Sequence, residues 1–330
     1  MTRRSLLAAP LAALAAAPRS KMGIATTSFM TVRRPRDTFE FLEYCDSLGA
    51  GGIQASLASL EPDYLKKLRA RAEERGLYIE VMSGLPRQDA EAFEKTVAAA
   101  KEVGAICVRA ACLGGRRYET FASLEDWRQF VTGSRVAIRR ALTVLERHRM
   151  PLALENHKDW TLEEFLDLLK TYNHELLGVC LDTGNNVALL DDPMELAERL
   201  APYAFSTHIK DMAVEEYEAG FLLSEVPLGE GYLDMKRIVE TIRRARPATR
   251  MTLEMITRNP LEIPCLTEKY WATFPRRNGR ALASTLRVVR ARKSRQPLPR
   301  LDHLDKEAQL RLEEDNVKQC LRYAREQLGL

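Results

Sequence analysis

Four apolar runs, far apart in the chain, each stop abruptly at a side chain that carries a charge or a lone pair. They are Leu152-Ala-Leu-Glu155, followed by Asn156 and His157, then Leu177-Gly-Val-Cys-Leu-Asp182, Ala204-Phe-Ser-Thr-His208 and Met251-Thr-Leu-Glu254. A short apolar run bounded in this way reads as a buried strand whose C-terminal end opens into a site. The spacings are 27 residues (155 to 182), 26 (182 to 208) and 46 (208 to 254). One strand–helix unit of a closed eight-unit ring takes about 30 residues. Two gaps therefore fit one unit each, and the third fits one unit plus an insertion. Four neighbouring strands would each deliver one metal-type side chain to the same rim.

The rest of the chain supplies the other units. Gly23-Ile-Ala-Thr-Thr27 reads as the first strand, and 37–48 as a helix with Phe41, Leu42, Cys45 and Leu48 on one face, stopped by Gly49. Ile53-Gln54-Ala55, 77–82 and 105–109 read as strands two to four; helices are expected at 63–75, 89–103 and 127–148, with Gly76 and Gly104 as stops. Thr161 with Glu164 three residues on is a capping box that opens the helix 161–170. Pro193 suits the first turn of 193–200. A helix at 234–244 precedes the eighth strand, 250–256. Strict alternation argues for a parallel sheet with helical crossovers. The predicted fold is α/β, a (β/α)₈ TIM barrel over 21–295, with a C-terminal linker and helix over 296–330. That last helix, 305–328, is expected to pack on the barrel's outside or on another subunit, which would make the protein a homo-oligomer. The insertion 212–233 is expected to lie over the mouth.

Residues 1–20 read as an export signal outside the fold. Thr2-Arg3-Arg4-Ser5-Leu6-Leu7 is a basic start, and 8–17 an apolar, small-residue stretch too short for a stable membrane span. The paired arginines resemble a twin-arginine signal, so a periplasmic location is expected, with the cytoplasm as the alternative. Six cysteines form no staple pattern; Cys107 and Cys180 sit in apolar runs as small hydrophobes. A net charge of +4 gives no reason to expect nucleic acid. The stretch 269–300 is rich in Lys and Arg and lacks Asp and Glu; it reads as a solvated helix face and linker.

Glu155, Asp182, His208 and Glu254 make a set of three carboxylates and one imidazole. Hard oxygen donors with one nitrogen favour Mn²⁺, Mg²⁺ or Co²⁺, with Zn²⁺ also admissible. Alternation places Lys210 on the same face as His208, where it could meet a substrate oxygen or pair with Asp211 or another rim acid. His157 and Arg109, at the ends of strands five and four, and Asn185, three residues beyond Asp182, are further candidates for substrate contact.

Glu155-Asn-His157, Leu181-Asp-Thr-Gly-Asn185, His208-Ile-Lys-Asp211, Pro227-Leu-Gly-Glu-Gly231 and Leu253-Glu254 together resemble the sugar phosphate isomerase/epimerase family, also called the xylose isomerase-like barrel. The resemblance covers residues 21–256. It implies one divalent metal on Glu155, Asp182, His208 and Glu254, with Glu155 and Glu254 as the acid–base pair. It further implies proton abstraction next to a carbonyl and a metal-held enediolate. Two positions depart from the ketose 3-epimerases of that family. Asn185 stands where they carry histidine, and Val214 where they place an arginine, leaving Lys210 as the close cation.

No glycine-rich loop follows strand seven or eight to cradle a phosphate. The expected substrate is thus an unphosphorylated sugar or sugar derivative, and the expected enzyme an isomerase or epimerase. A lyase expelling a β-substituent from a keto-sugar or 3-keto-glycoside would use the same site, and a sugar-binding module without turnover is a third reading. A DNA-repair endonuclease on this barrel would need a histidine-rich trinuclear site, and five histidines, few at strand ends, do not provide one.

Overall fold

A computed structural model describes residues 19–330. The segment read as an export signal lies outside the described residues except for Arg19 and Ser20, which already belong to the fold. The Ser20 amide donates to Gly49 O (2.8 Å) and its side chain is buried, so the described barrel begins before the expected boundary at residue 21.

The strands β1 (Gly23–Ala25), β2 (Gly52–Ala55), β3 (Tyr78–Met82) and β4 (Val108–Ala110) alternate with α1 (Thr38–Ser47), α2 (Pro62–Arg75) and α3 (Glu91–Glu102). The short α4 (Arg117–Thr120) and long α5 (Leu124–His148) lead to β5 (Leu152–Glu155), α6 (Leu162–Tyr172), β6 (Leu177–Asp182), α7 (Pro193–Leu200) and β7 (Ala204–His208). Then come the hairpin β8 (Asp211–Tyr217) and β9 (Gly220–Val226), α8 (Met235–Ala245) and β10 (Thr252–Leu253). The chain ends with β11 (Leu261–Ile263), α9 (Glu268–Trp271), α10 (Gly279–Ala291) and α11 (Lys306–Leu328).

Eight strands pair in parallel in the order β10-β1-β2-β3-β4-β5-β6-β7. The ring closes beyond β7, where Ile209 pairs with Leu253: the Ile209 amide donates to Thr252 O (2.8 Å) and the Glu254 amide to Ile209 O (3.1 Å). This is the expected α/β barrel with its C-terminal helix. The capping box of α6 is present in both directions, and Asp192 caps α7 with Pro193 at its first position. Gly76 ends α2 at φ +63, a left-handed conformation that glycine adopts without a Cβ clash.

One expectation needs correction. The eighth barrel strand is two residues long, not 250–256, because its continuation leaves the ladder for the rim: the Met255 amide donates to Ser28 Oγ (3.1 Å) and that of Ile256 to Glu225 Oε2 (2.6 Å). The insertion 212–233 is mostly the β8–β9 hairpin, to which β11 adds as a third antiparallel strand. The hairpin rises from the rim directly after β7, and α10 packs against it.

Inside the ring, side chains form layers, as closed barrels require. The floor is filled by the rings of Tyr78 and Phe205, which fit because Gly52 and Gly178 lack side chains; a Cβ at either would lie 2.5 Å from its ring. Phe205 is the extra residue of a bulge, since Val179 faces Ala204 while Cys180 already faces Ser206. The bulge sets the phase of β7, so that Ser206 and His208 both turn inward. Around the ring, helices and strands share one apolar core.

Candidate metal and substrate site

Strand geometry alone brings the four side chains together. Glu155, Asp182 and His208 are the last residues of β5, β6 and β7, Asp182 sits opposite His208, and Glu254 follows β10. One ligand-type atom from each lies within 4.8 Å of the others, and all four residues are buried. His208 Nδ1 stands at the centre, 3.4 Å from Glu155 Oε1, 3.6 Å from Asp182 Oδ2 and 3.4 Å from Glu254 Oε1.

Neighbouring residues fix these groups and leave their inward atoms free. Gln54 Oε1 lies 2.7 Å from His208 Nε2, and the Gln54 amide is oriented by donating through Nε2 to Glu80 Oε2 (2.8 Å). With a proton held on Nε2 by Gln54, a cation could take the Nδ1 lone pair; without one, burial is outweighed by Cys180, Glu254 and Asp182, which raise His208 to about 10, so Nδ1 is protonated as well. Asp182 Oδ1 accepts from the amides of Gly184 (2.9 Å) and Asn185 (2.7 Å), which leaves Oδ2. Asn156 ties β5 to β6 by exchanging hydrogen bonds with the Asp182 backbone (2.9 Å each). Thr183 Oγ1 in turn accepts from the Lys210 amide (3.0 Å). The short motifs around the cluster thus hold its geometry.

Glu155 Oε2, Asp182 Oδ2 and His208 Nδ1 are buried without a hydrogen-bond partner. Such orphans are costly unless something else satisfies them. Cations partly compensate: Arg109 contacts Glu155, and Lys210 contacts Glu254 and lies 2.9 Å from Asp182 Oδ2, without hydrogen-bond alignment in the last case. Three carboxylates and an imidazole converging within 4.8 Å, with Asp182 Oδ2 and His208 Nδ1 unpartnered, fit a divalent cation. Burial pushes the Asp182 carboxyl up, but Lys210 and His208 more than offset this and hold it at about 2. Glu254 lies well below the usual range, burial again being outweighed by His208 and Lys210.

A cavity of about 240 Å³ adjoins the cluster at Glu254. His157 and Arg109, two of the predicted substrate contacts, line it, as does Glu254. The other two, Lys210 and Asn185, lie outside the lining and bond to the cluster's carboxylates, Asn185 Nδ2 donating to Glu155 Oε1 (2.9 Å). Lys210 does not pair with Asp211. That carboxylate faces the other way and accepts from the amides of Met212, Gly229, Gly231 and Leu233, so Gly229-Glu-Gly231 is a loop wrapped around Asp211. Larger grooves of about 950 and 850 Å³ border none of the four cluster residues.

Sequence reasoning missed Gln54, Glu80, Lys158, Glu225 and Arg258. Gln54 and Glu80 are polar residues within otherwise apolar strand runs, a readable signal. Glu225 arrives on the hairpin, pairs with Arg258 (2.8 Å) and lies 3.8 Å from Lys210. Lys158 is buried and contacts Asn185 Oδ1; burial, then the like charges of Lys210 and Arg258, push its ammonium down to about 7. Burial, then Lys158 and Arg109, push His157 far below its usual range, so its imidazole is neutral.

All six cysteines are free and buried, and no helix among the described residues is long and apolar enough to cross a membrane. Among curated proteins, the chain is 29% identical over 233 residues to a 3-oxo-isoapionate decarboxylase of Pectobacterium atrosepticum, covering 67% of this chain and 80% of that one. Among solved structures it is similar to the IOLI protein with a bound zinc atom (TM-score 0.56, 16% identity, 81% of this chain and 98% of that one). It is also similar to the 3-keto-D-glucoside 4-epimerase of E. coli (TM-score 0.55, 15% identity, 83% and 100%). The family model described as xylose isomerase-like TIM barrel matches residues 42–279. That span runs from the first helix of the ring past its last strand, and the chain belongs to the xylose isomerase-like TIM barrel family.

Proposed function

We propose that this protein is a divalent-metal-dependent isomerase or epimerase of an unphosphorylated sugar derivative that carries a carbonyl. The observation that carries this reading is the convergence of Glu155, Asp182, His208 and Glu254, all buried, on one point beside a cavity, with Asp182 Oδ2 and His208 Nδ1 lacking hydrogen-bond partners. A cation held there by Glu155, Asp182, His208 and Glu254 would supply positive charge to an oxyanion developing next to it. The donor set favours Mn²⁺, Mg²⁺ or Co²⁺, with Zn²⁺ admissible. Glu155 and Glu254 approach His208 Nδ1 from different strands. One takes the proton from the carbon next to the carbonyl, and the other returns a proton to the same or the neighbouring carbon. Lys210 holds Asp182 and Glu254 ionised, so both stay available as bases or ligands. His157, neutral, and Arg109 position the substrate from the wall.

Metal analysis of protein purified without chelator, followed by turnover on keto-sugars and 3-keto-glycosides in deuterated water, tests this. A bound or activating divalent ion and deuterium in recovered sugar with no group released are expected. No bound ion and no activation by Mn²⁺ would overturn it.

A lyase is the second reading, favoured by the likeness to a decarboxylase of a 3-oxo sugar acid. Cleavage of the bond between a carboxylate and the carbon next to a carbonyl releases carbon dioxide and leaves its electron pair in the same enediolate, which then takes a proton that water supplies, directly or through Glu155. Release of carbon dioxide or another leaving group separates the two readings. Export, which rests on residues 2–17 alone, is part of the proposal, and fractionation of cells expressing the Arg3→Lys, Arg4→Lys pair tests it.

A further inference from the structure

The cavity has one wall of unusual charge. Arg109, Arg116, His157, Lys158 and Arg258 line it, and Glu254 is its one acidic lining residue. Three of these cations have carboxylate partners: Arg109 has Glu155, Arg116 has Glu119 (2.7 Å) and Arg258 has Glu225 (2.8 Å). Lys158 has none among the described residues. The residue is 96% buried, and its ammonium reaches only the neutral amide oxygen of Asn185. A buried ammonium without a counter-charge is costly to maintain, so Lys158 gives up its proton near neutral pH, and an anionic ligand beside it would restore the full charge. Beside it, Arg109 Nε and His157 Nδ1 are also buried without hydrogen-bond partners.

The charges of the whole site lead to the same conclusion. Four carboxylates (Glu155, Asp182, Glu225, Glu254) meet four cations (Arg109, Lys158, Lys210, Arg258). A divalent ion on the cluster would leave the site two charges positive: one faces the carbonyl oxygen that becomes an oxyanion, and the other lies in the wall at Lys158, where a neutral sugar would leave it uncompensated.

Resting on the function proposed above, we infer that the substrate is a sugar acid whose carboxylate is held by Lys158 and Arg109 beside His157, while its carbonyl faces the four-residue cluster. One uncompensated cation in the wall calls for a monoanion, which a carboxylate is and a phosphate monoester at neutral pH is not. Lys158 is then a specificity-determining residue: it separates acids from the neutral sugars of the same skeleton.

Ligand binding to the full chain tests this without requiring turnover. Thermal unfolding and calorimetry would be run with a panel of four- to six-carbon aldonates and their 3-oxo forms, the matching neutral alditols, and alditol phosphates. Each would be measured with added Mn²⁺ and with chelator. At least one acid is expected to raise Tm and bind, with its neutral counterpart weaker by at least tenfold. Lys158→Met should weaken acid binding by about ten- to a hundredfold and leave alditol binding unchanged, while Lys158→Arg retains part of it. Should Lys158→Met fail to fold, Arg258→Leu, at the cavity edge, is expected to weaken acid binding severalfold through the same field. Acids binding no better than alditols, phosphates binding in preference to carboxylates, or Lys158→Met binding acids like the parent would each overturn the inference. Failure of Mn²⁺ to bind would sink the metal-dependent function instead, and the chelator arm still reads the carboxylate preference.

Discussion

Gln54 is where the reading of the cluster is most exposed to test, because it touches no substrate and yet fixes the state of His208. In Gln54→Leu the volume is nearly kept and the amide is lost. His208 Nε2–H, fully buried, loses its acceptor at 2.7 Å, and Glu80 Oε2 loses one of its three donors, keeping Ser206 (2.8 Å) and Thr252 (3.1 Å). An unsatisfied buried group costs about 1–3 kcal/mol, so with Glu80 still partly satisfied the fold should lose roughly 2–4 kcal/mol. The effect on the cation is separate. Without an acceptor at Nε2 the imidazole proton is free to occupy Nδ1, the position that must carry a lone pair. Losing the outer partner of a metal-bound histidine typically weakens affinity by about 10–100-fold. Calorimetric titration with Mn²⁺ at fixed pH reads the affinity, and urea unfolding of the metal-free protein reads the stability. If Gln54→Leu is destabilised as expected but binds Mn²⁺ within about twofold of the parent, Gln54 merely fills the barrel and the assigned tautomer is wrong.

Four further outcomes follow from the same contacts. Arg117 is fully buried between Trp127 (3.6 Å) and Phe274 (4.2 Å) and pairs with Glu164 (2.6 Å); Arg117→Met should cost about 3–5 kcal/mol in urea unfolding, as removal of one partner of a buried pair does. Asp211→Ala strands the amides of Gly229, Gly231 and Leu233 and should cost at least about 3 kcal/mol by the same measurement; Gly231→Ala should also destabilise, since its Cβ would meet Asp211 Oδ1 at 2.1 Å. Chelation should lower Tm, because a ligand present at a hundred times its Kd contributes about 2.7 kcal/mol, and Asp182→Ala should abolish the difference between chelated and Mn²⁺-loaded protein. Glu313 on α11 accepts from the amides of Val32 (3.1 Å) and Arg33 (3.0 Å), in the loop that follows the cavity residue Met30; Glu313→Ala should raise KM with little change in kcat, and unchanged KM would confine α11 to a packing role.

The barrel and its four rim residues were legible because each is announced locally, by an apolar run that stops at an ionisable group or by a glycine at a helix end. What stayed hidden depends on contacts across the ring. Lys210 and Asp211 are neighbours in sequence and invited pairing. A strand turns adjacent side chains to opposite faces, so Lys210 joins Asp182 and Glu254 inside while Asp211 gathers the 229–233 loop outside. Lys158 follows His157 as any loop lysine might, and nothing local reveals that it is buried without a carboxylate. Gln54 and Glu80 become meaningful only once alternation is followed one layer down. Two residues before His208 and Glu254 lie Ser206 and Thr252, which join Gln54 and Glu80 in a polar network. Two residues before Glu155 and Asp182 lie Ala153 and Cys180, which pack with Cys107 and Phe205 in an apolar patch. The difference has a chemical reason. A carboxylate that binds a cation through one oxygen can satisfy the other from backbone amides at the rim, as Asp182 does. An imidazole carries its second nitrogen on the far side of the ring, pointing down into the barrel, and only a polar layer beneath it can accept that N–H. The polar half of the interior therefore lies under the histidine because the histidine needs it there.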